Sequence, residues 1–241
     1  GRAGAGMVHR ILWRAGSAAA IDFWEERLNA LETPTTRGEG GSLLFADPEG
    51  LGHELVVTSR HDEPLVAEHP DIPRDLALQG FEGVRAYSAA PHRSAPLLEQ
   101  LLSATRKETD DDAWELRGDR RGSVIAYDPP PTEPARQSAG SVHHVAWGTT
   151  QADHPHWQQR LAEAGVPNSG VIDRHYFHSI YFREPSGVLF EIADDGPGFT
   201  VDVPLEELGS RVILPPRLER HRAEIEARLT PLPDPRAARV G

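Results

Sequence analysis

Two stretches of this 241-residue chain repeat each other at a nearly fixed separation. Val8-His9-Arg10-Ile11-Leu12-Trp13 is echoed by Val142-His143-His144-Val145-Ala146-Trp147, with an offset of 134 from His9 to His143. Trp24, Arg27 and Leu28 match Trp157, Arg160 and Leu161 at an offset of 133, and Phe45 and Glu54 match Phe182 and Glu191 at 137. A spacing held over several anchors marks a fold assembled from repeated supersecondary units, each too small to bury its apolar face alone.

The local patterns say what one unit is. Met7 to Trp13 is a short apolar run of strand type, and Ser17 stands as cap to a helical pattern from Ala18 to Leu31. Ile21, Trp24, Leu28 and Leu31 recur at helical spacing on one face. Ser42 to Phe45 and His53 to Val57 read as strands joined by Asp47-Pro48-Glu49-Gly50, which has hairpin-turn chemistry. The order is βαβββ. A second unit is expected from a strand at Gly83 to Ser88, a helix at Ala95 to Ala104, and strands around Trp114 to Arg117 and Ser123 to Tyr127. The third runs from a strand at Val142 through a helix near His156 to Ala164. Strands at Gly170 to Asp173, Ser179 to Arg183 and Val188 to Ala193 follow, and the turn residues Asp194 to Gly198 end it. Proline-rich connections at Arg60 to Asp75 and Pro129 to Gly140 separate the units, and a tail helix is expected at Leu218 to Leu229. The fold class is therefore α+β, with repeated βαβββ modules forming curved mixed sheets and a helical C-terminal tail. The expected modules are 1–60, 76–130 and 141–200, with the tail at 201–241. Which modules pair stays open.

Composition excludes several functions. A net charge of −12 argues against a nucleic-acid surface, which needs clustered basic residues. The acidic run Thr109-Asp110-Asp111-Asp112 is expected as a solvated loop. No apolar stretch is long enough to span a membrane and no apolar signal core opens the chain, so a cytoplasmic protein is expected. The opening Gly-Arg-Ala-Gly-Ala-Gly carries no initiator Met, which points to a processed or incomplete start. With no cysteine, any metal site must use His, Asp or Glu, a donor set that suits iron or manganese.

The chemistry concentrates in the third unit. Glu191, between Phe190 and Ile192, is a carboxylate in a strongly apolar strand and needs a metal, an arginine or a proton. Side chains alternate along a strand, so His143 and His144 are expected on opposite faces, with one of them available to a given metal. The hairpin brings Tyr181 beside Glu191, and Arg174 lies seven residues before Tyr181. The plain structural readings are a strand histidine at His144, a buried Glu191–Arg174 ion pair, packing roles for Tyr181 and Phe182, and rim positions for His175 and His178. In the first copy Arg10 would repel a cation and can neutralise Glu54 instead.

These residues resemble a known family. Val142 to Trp147, Asp173 to Phe177, Ser179 to Pro185, Gly187 to Ile192 and Asp195 to Phe199 look like the vicinal-oxygen-chelate superfamily, and within it the ring-cleaving dioxygenases of hydroquinone type. The likeness extends over all three units and the segment from Pro204. It implies an iron(II) enzyme, with manganese(II) as the alternative, that opens an aromatic diol with O2. It further implies His144 and Glu191 as metal ligands, and His143, Arg174 and Tyr181 as groups that handle protons and substrate oxygens. A small aromatic diol and O2 are the implied partners, with no nucleic acid and no membrane, and homo-oligomerisation is left open.

Members of that family carry four such units, and their further histidine ligand lies in the first. This chain shows three, beginning at what resembles the second, and the position equivalent to His144 is Arg10 in one and Gly83 in another. A truncated enzyme, a site completed by another chain and an inactive form all remain open. So do a glyoxalase-like isomerase, a thiol-transferring resistance enzyme and a non-catalytic binding module of bleomycin-resistance type.

Overall fold

The computed structural model describes residues 1–58 and 62–231. Arg60, at the head of the first expected connection, lies outside the described residues. The first unit comprises β1 (Val8–Ala15), α1 (Ala18–Ala30), β2 (Thr36–Arg37), β3 (Leu43–Ala46) and β4 (Gly52–Val57). Ser17 caps α1 by accepting the Ala20 amide at 3.1 Å. Leu31 falls just past the helix and is 67% exposed, so the buried face of α1 is narrower than its spacing predicts. The β3–β4 hairpin turns at Asp47, whose Oδ1 accepts the amides of Glu49 and Leu51 at 3.0 and 2.8 Å.

The second unit holds β5 (Phe81–Tyr87), β6 (Thr105–Lys107), β7 (Asp110–Arg117) and β8 (Gly122–Asp128). Here the expected helix over Ala95 to Ala104 is replaced by a 3-10 turn at Pro91–Arg93 and a π turn at Leu97–Leu101. Pro96 withholds a backbone donor at the entry, and the wide turn closes through Leu102 N to Leu97 O at 3.0 Å. Leu97, Leu98, Leu101 and Leu102 are buried together along this segment. The acidic run also departs from expectation, because Asp110 to Asp112 form the first residues of β7. There Asp110 gains Arg85 as a neighbour at 3.7 Å.

The third unit comprises β9 (Val145–Gly148), α2 (His154–Glu163), β10 (Ile172–Asp173), β11 (His178–Arg183) and β12 (Leu189–Ala193). Its first strand starts at Val145, three residues later than expected, because β12 offers no ladder partner before the Phe190–Val145 pair. The tail forms a 3-10 segment at Pro216–His221 and then α3 (Arg222–Arg228), so only the second half of the expected tail helix is α-helical.

Antiparallel pairing of β1 with β5 fuses the first two units into one sheet, ordered β2-β3-β4-β1-β5-β8-β7-β6. The third unit keeps its own sheet, β10-β11-β12-β9, with β9 at an edge. It docks on the second unit through a shared apolar core that includes Leu98, Trp114 and Ile125 with Ile180, Phe190 and Ile192. A polar seam crosses this junction. Glu184, 2% exposed, accepts from the Ser94 hydroxyl and from the amides of Ser186 and Val188 at 2.9 and 3.0 Å. Ser186 in turn meets Ser88 and Ser94 at 2.7 and 2.8 Å. The first unit has a separate core, where Ile21 of α1 packs with Leu43 and Leu55.

Arg14, 2% exposed on β1, fastens the segment after the first unit to the large sheet. It pairs with Glu82 at 2.7 Å and Asp62 at 2.8 Å and donates to the Gly122 carbonyl. Burial alone would raise the Asp62 carboxyl, but the Gly122 amide with Arg14 and Arg117 holds it well below the usual range. A depressed folded-state pKa gives stability that is complete above the unfolded value near 3.8 and is lost as the pH falls below it. Arg14→Met removes the buried cation shared by Glu82 and Asp62 and is expected to lower the unfolding free energy by about 3 kcal/mol in urea denaturation near pH 7. The loss should shrink as the titration is repeated toward pH 3, where protonation removes the charge that Asp62 would bury without Arg14.

Candidate active site on the third sheet

Glu191 stands on β12 with its side chain 3% exposed, between core residues Phe190 and Ile192. The β11–β12 register sets Tyr181 opposite it, and the β12–β9 register sets Ala146 on its other side. Two neighbours answer the buried charge. His144 Nε2 lies 2.7 Å from Oε2, and the Ser179 hydroxyl donates to Oε1. The predicted Glu191–Arg174 pair is therefore not what the carboxylate adopts.

His143 and His144 precede β9 and lie outside its ladder. They do not turn to opposite faces as strand alternation predicts, because neither residue is pleated into a paired strand. Their Nδ1 atoms instead approach to 2.9 Å. With His144 Nε2–H donating to Glu191, its Nδ1 accepts from His143. The Tyr181 ring meets His144 edge-on at 5.7 Å, and the Arg174 guanidinium sits 5.5 Å from the Tyr181 ring centroid. Burial, aided by the Glu191 carboxylate, pushes the Tyr181 phenol up, which keeps it protonated at neutral pH. The five residues singled out from the sequence thus form one continuous patch.

The first copy shows the same frame with a different occupant. Ser42 donates to Glu54 Oε1 at 2.7 Å as Ser179 does to Glu191. Arg10 stands where His144 stands and reaches Glu54 Oε2 at 3.0 Å, so a guanidinium fills the place of a cation. His9, the counterpart of His143, bonds Asp128 at 2.8 Å and stacks on Tyr87 at 3.9 Å. Sequence reasoning passed over Ser179, although the repeat held the signal: Ser42 and Ser179 lie 137 apart, the offset of Glu54 and Glu191. His178, read as a surface or pocket-rim residue, is half-buried and bonds Asp194 at 3.1 Å.

Imidazole nitrogen and carboxylate oxygen 2.7 Å apart suit two adjacent positions about one iron or manganese ion. Among the described residues, no group of three or more His, Cys, Asp or Glu side chains is arranged to hold a metal. The pair therefore fits as two donors of a three-donor site. The enclosed crevice beside His143 and His144 measures only about 20 Å³, room for one water and not for an aromatic ring.

The repeated βαβββ units, the curved sheets and a match of residues 6–192 to the family profile agree. The chain belongs to the glyoxalase/bleomycin resistance protein/dioxygenase superfamily. Among curated relatives, "Putative ring-cleaving dioxygenase MhqO" of Bacillus subtilis is 38% identical over 218 residues, covering 88% of this chain and 69% of the relative. "Chlorohydroquinone/hydroquinone 1,2-dioxygenase" of Sphingobium indicum is 29% identical, over 93% of this chain and 73% of its own. A crystal structure of a "putative dioxygenase" from Bacillus subtilis superposes with a TM-score of 0.85 at 35% identity, covering 95% of this chain and 75% of that one. Among the described residues no helix is long and apolar enough to cross a membrane.

Removing the hydroxyl that holds Glu191 should be measurable. Ser179→Ala leaves a buried carboxylate oxygen without its donor and is expected to lower stability by about 1–3 kcal/mol in urea denaturation. Ser42→Ala should have a smaller effect, because Glu54 keeps a guanidinium partner and is more exposed. Equal losses would show that Glu191 relies on Ser179 no more than Glu54 relies on Ser42.

Proposed function

We propose that this chain acts as a metal-dependent ring-cleaving dioxygenase that opens hydroquinone- or catechol-like aromatic diols with O2. The observation that carries the reading is the convergence of His144, Glu191, Tyr181 and Arg174 on one face of the third sheet. The named activities of the curated relatives support it. His144 and Glu191 would hold iron(II), or manganese(II), leaving positions for a further donor, the diol and O2. The bound metal would bring diol and O2 together and share electrons between them.

The protein groups do the rest. Arg174 holds the ionised oxygen of the diol as its counter-charge. His143, tied to His144 through Nδ1, takes the proton that the diol gives up on binding. Tyr181, kept protonated, donates a hydrogen bond to negative charge developing on oxygen. Both atoms of O2 end in the opened product, so diol and O2 balance it with no added reductant. In this reading the diol would lie over Tyr181, within reach of Arg174.

A second reading is favoured by one observation, the absence of a third donor among the described residues. In it the chain is a binding module of bleomycin-resistance type that captures an aromatic anion at Arg174 without chemistry. Oxygen uptake after anaerobic iron(II) loading separates the two. The dioxygenase reading expects uptake with hydroquinone or catechol, loss of uptake in Glu191→Ala, and a KM raised about tenfold or more in Arg174→Gln. A chain that holds iron yet consumes no O2 with either diol overturns it. Manganese(II) binding followed by electron paramagnetic resonance should be abolished by Glu191→Ala and left unchanged by Glu54→Ala.

A further inference from the structure

Next to the site lies a buried charged cluster that the proposed reaction does not use. Asp194 follows Glu191 by three residues, and its side chain is 1% exposed. Its ionic partners among the described residues are two histidines. His178 Nδ1 is 3.1 Å and His154 Nε2 is 3.3 Å from Asp194 Oδ2. The other carboxyl oxygen accepts the amides of His178 and Gly196 at 2.9 and 3.3 Å. His154 opens α2 and is 2% exposed, with both ring nitrogens buried and neither in a hydrogen bond among the described residues.

The internal repeat supplies a control. At the matching offsets of 133 and 137, the first copy has Ile21 for His154, Gly41 for His178 and Val57 for Asp194. The same fold is thus built there without this cluster. Between these two copies, the charged cluster occurs in the one that carries His144 and Glu191.

Its position explains why. His178 is the first residue of β11 and ends the turn that bears Arg174. That turn is closed by Arg174 N to Phe177 O at 2.9 Å and carries His175 at a φ of 76°. Asp194 grips the turn where it rejoins the sheet, through both the amide and the ring of His178, while His154 of α2 stands 3.3 Å from the same carboxylate. This anchor fixes the strand end of the turn relative to Glu191, while His175 with Asp202 at 2.8 Å and Gly198 N to Tyr176 O at 2.9 Å hold its outer part.

We propose that Asp194, acting through His178, is a positioning residue that holds Arg174 over Tyr181 at the distance an anionic ligand requires. The proposal rests on the diol reading only for the identity of that anion. The test uses the whole chain with 4-nitrocatechol as probe, its binding followed by absorbance. Asp194→Ala is expected to weaken binding about tenfold, as a misplaced clamp does. Asp194→Asn, which keeps an oxygen for the two amides, should bind within about threefold of the parent. In an Arg174→Gln background Asp194→Ala should have no further effect, since coupled residues do not add. A full additional loss in that background overturns the proposal.

Amide hydrogen exchange gives a readout that needs no ligand. Asp194→Ala should speed exchange across residues 174–178 about tenfold or more while Ile180 to Phe182 stay protected. Unchanged exchange at 174–178, or loss of protection along the whole strand, overturns it. If the parent chain binds no 4-nitrocatechol, the diol reading falls, and exchange alone decides the positioning role.

Discussion

A carboxylate inside a sheet must be met by a positive group, by donated hydrogen bonds or by a proton, because desolvation without a partner costs several kcal/mol. Much of this structure is arranged around that demand. Glu54 is met by Arg10, and Glu82 and Asp62 by Arg14. Glu184 is met by serine and backbone donors where the second and third units join. Glu191 has the answer that is open to exchange. Its partners are one imidazole and one hydroxyl, and the imidazole can release its proton to make room for a metal. The arginines fix architecture, whereas the histidine leaves chemistry available.

The repeat made the architecture readable. Strand pairs, the Asp47 turn and the cap at Ser17 follow from short-range patterns, and βαβββ order follows from their succession. The second unit resisted because its helical stretch answers to the core more than to local preference. Leu97, Leu98, Leu101 and Leu102 suit one face of an α-helix, yet the segment closes as a π turn that no 3.6-residue periodicity announces. Asp110 to Asp112 looked like loop because charge dominates them, yet Asp110 pairs with Lys107 of β6 and the three residues lead into a strand that pairs with β8 from Ala113. Pairing of the units was unreadable for a related reason, since the choice of β5 as partner for β1 depends on contacts between segments far apart in sequence.

Site residues were legible as residue types and less so as geometry. His144, Glu191, Tyr181, Arg174 and His143 were found by motif and resemblance. Strand alternation then misplaced the histidine pair, because alternation presumes a ladder and His143 and His144 lie before it. Asp194 was read as a turn former because it opens a turn sequence. Its burial, and the two histidines around it, arise only when α2 and β11 fold over the end of β12.

Strand β9 has one neighbour in its sheet, while its counterpart β1 has two. The outer rim of β9 therefore presents backbone donors and acceptors to whatever approaches, immediately after the two histidines. A strand that zipped onto this rim would be bound by a strict parity rule. Alternate residues would face the side of the sheet shared by Glu191 and Tyr181, and the others would face the core. An incoming donor one position out of phase would turn away from the carboxylate. The free rim thus acts as a ruler, fixing which positions of a joining segment can reach the chemistry.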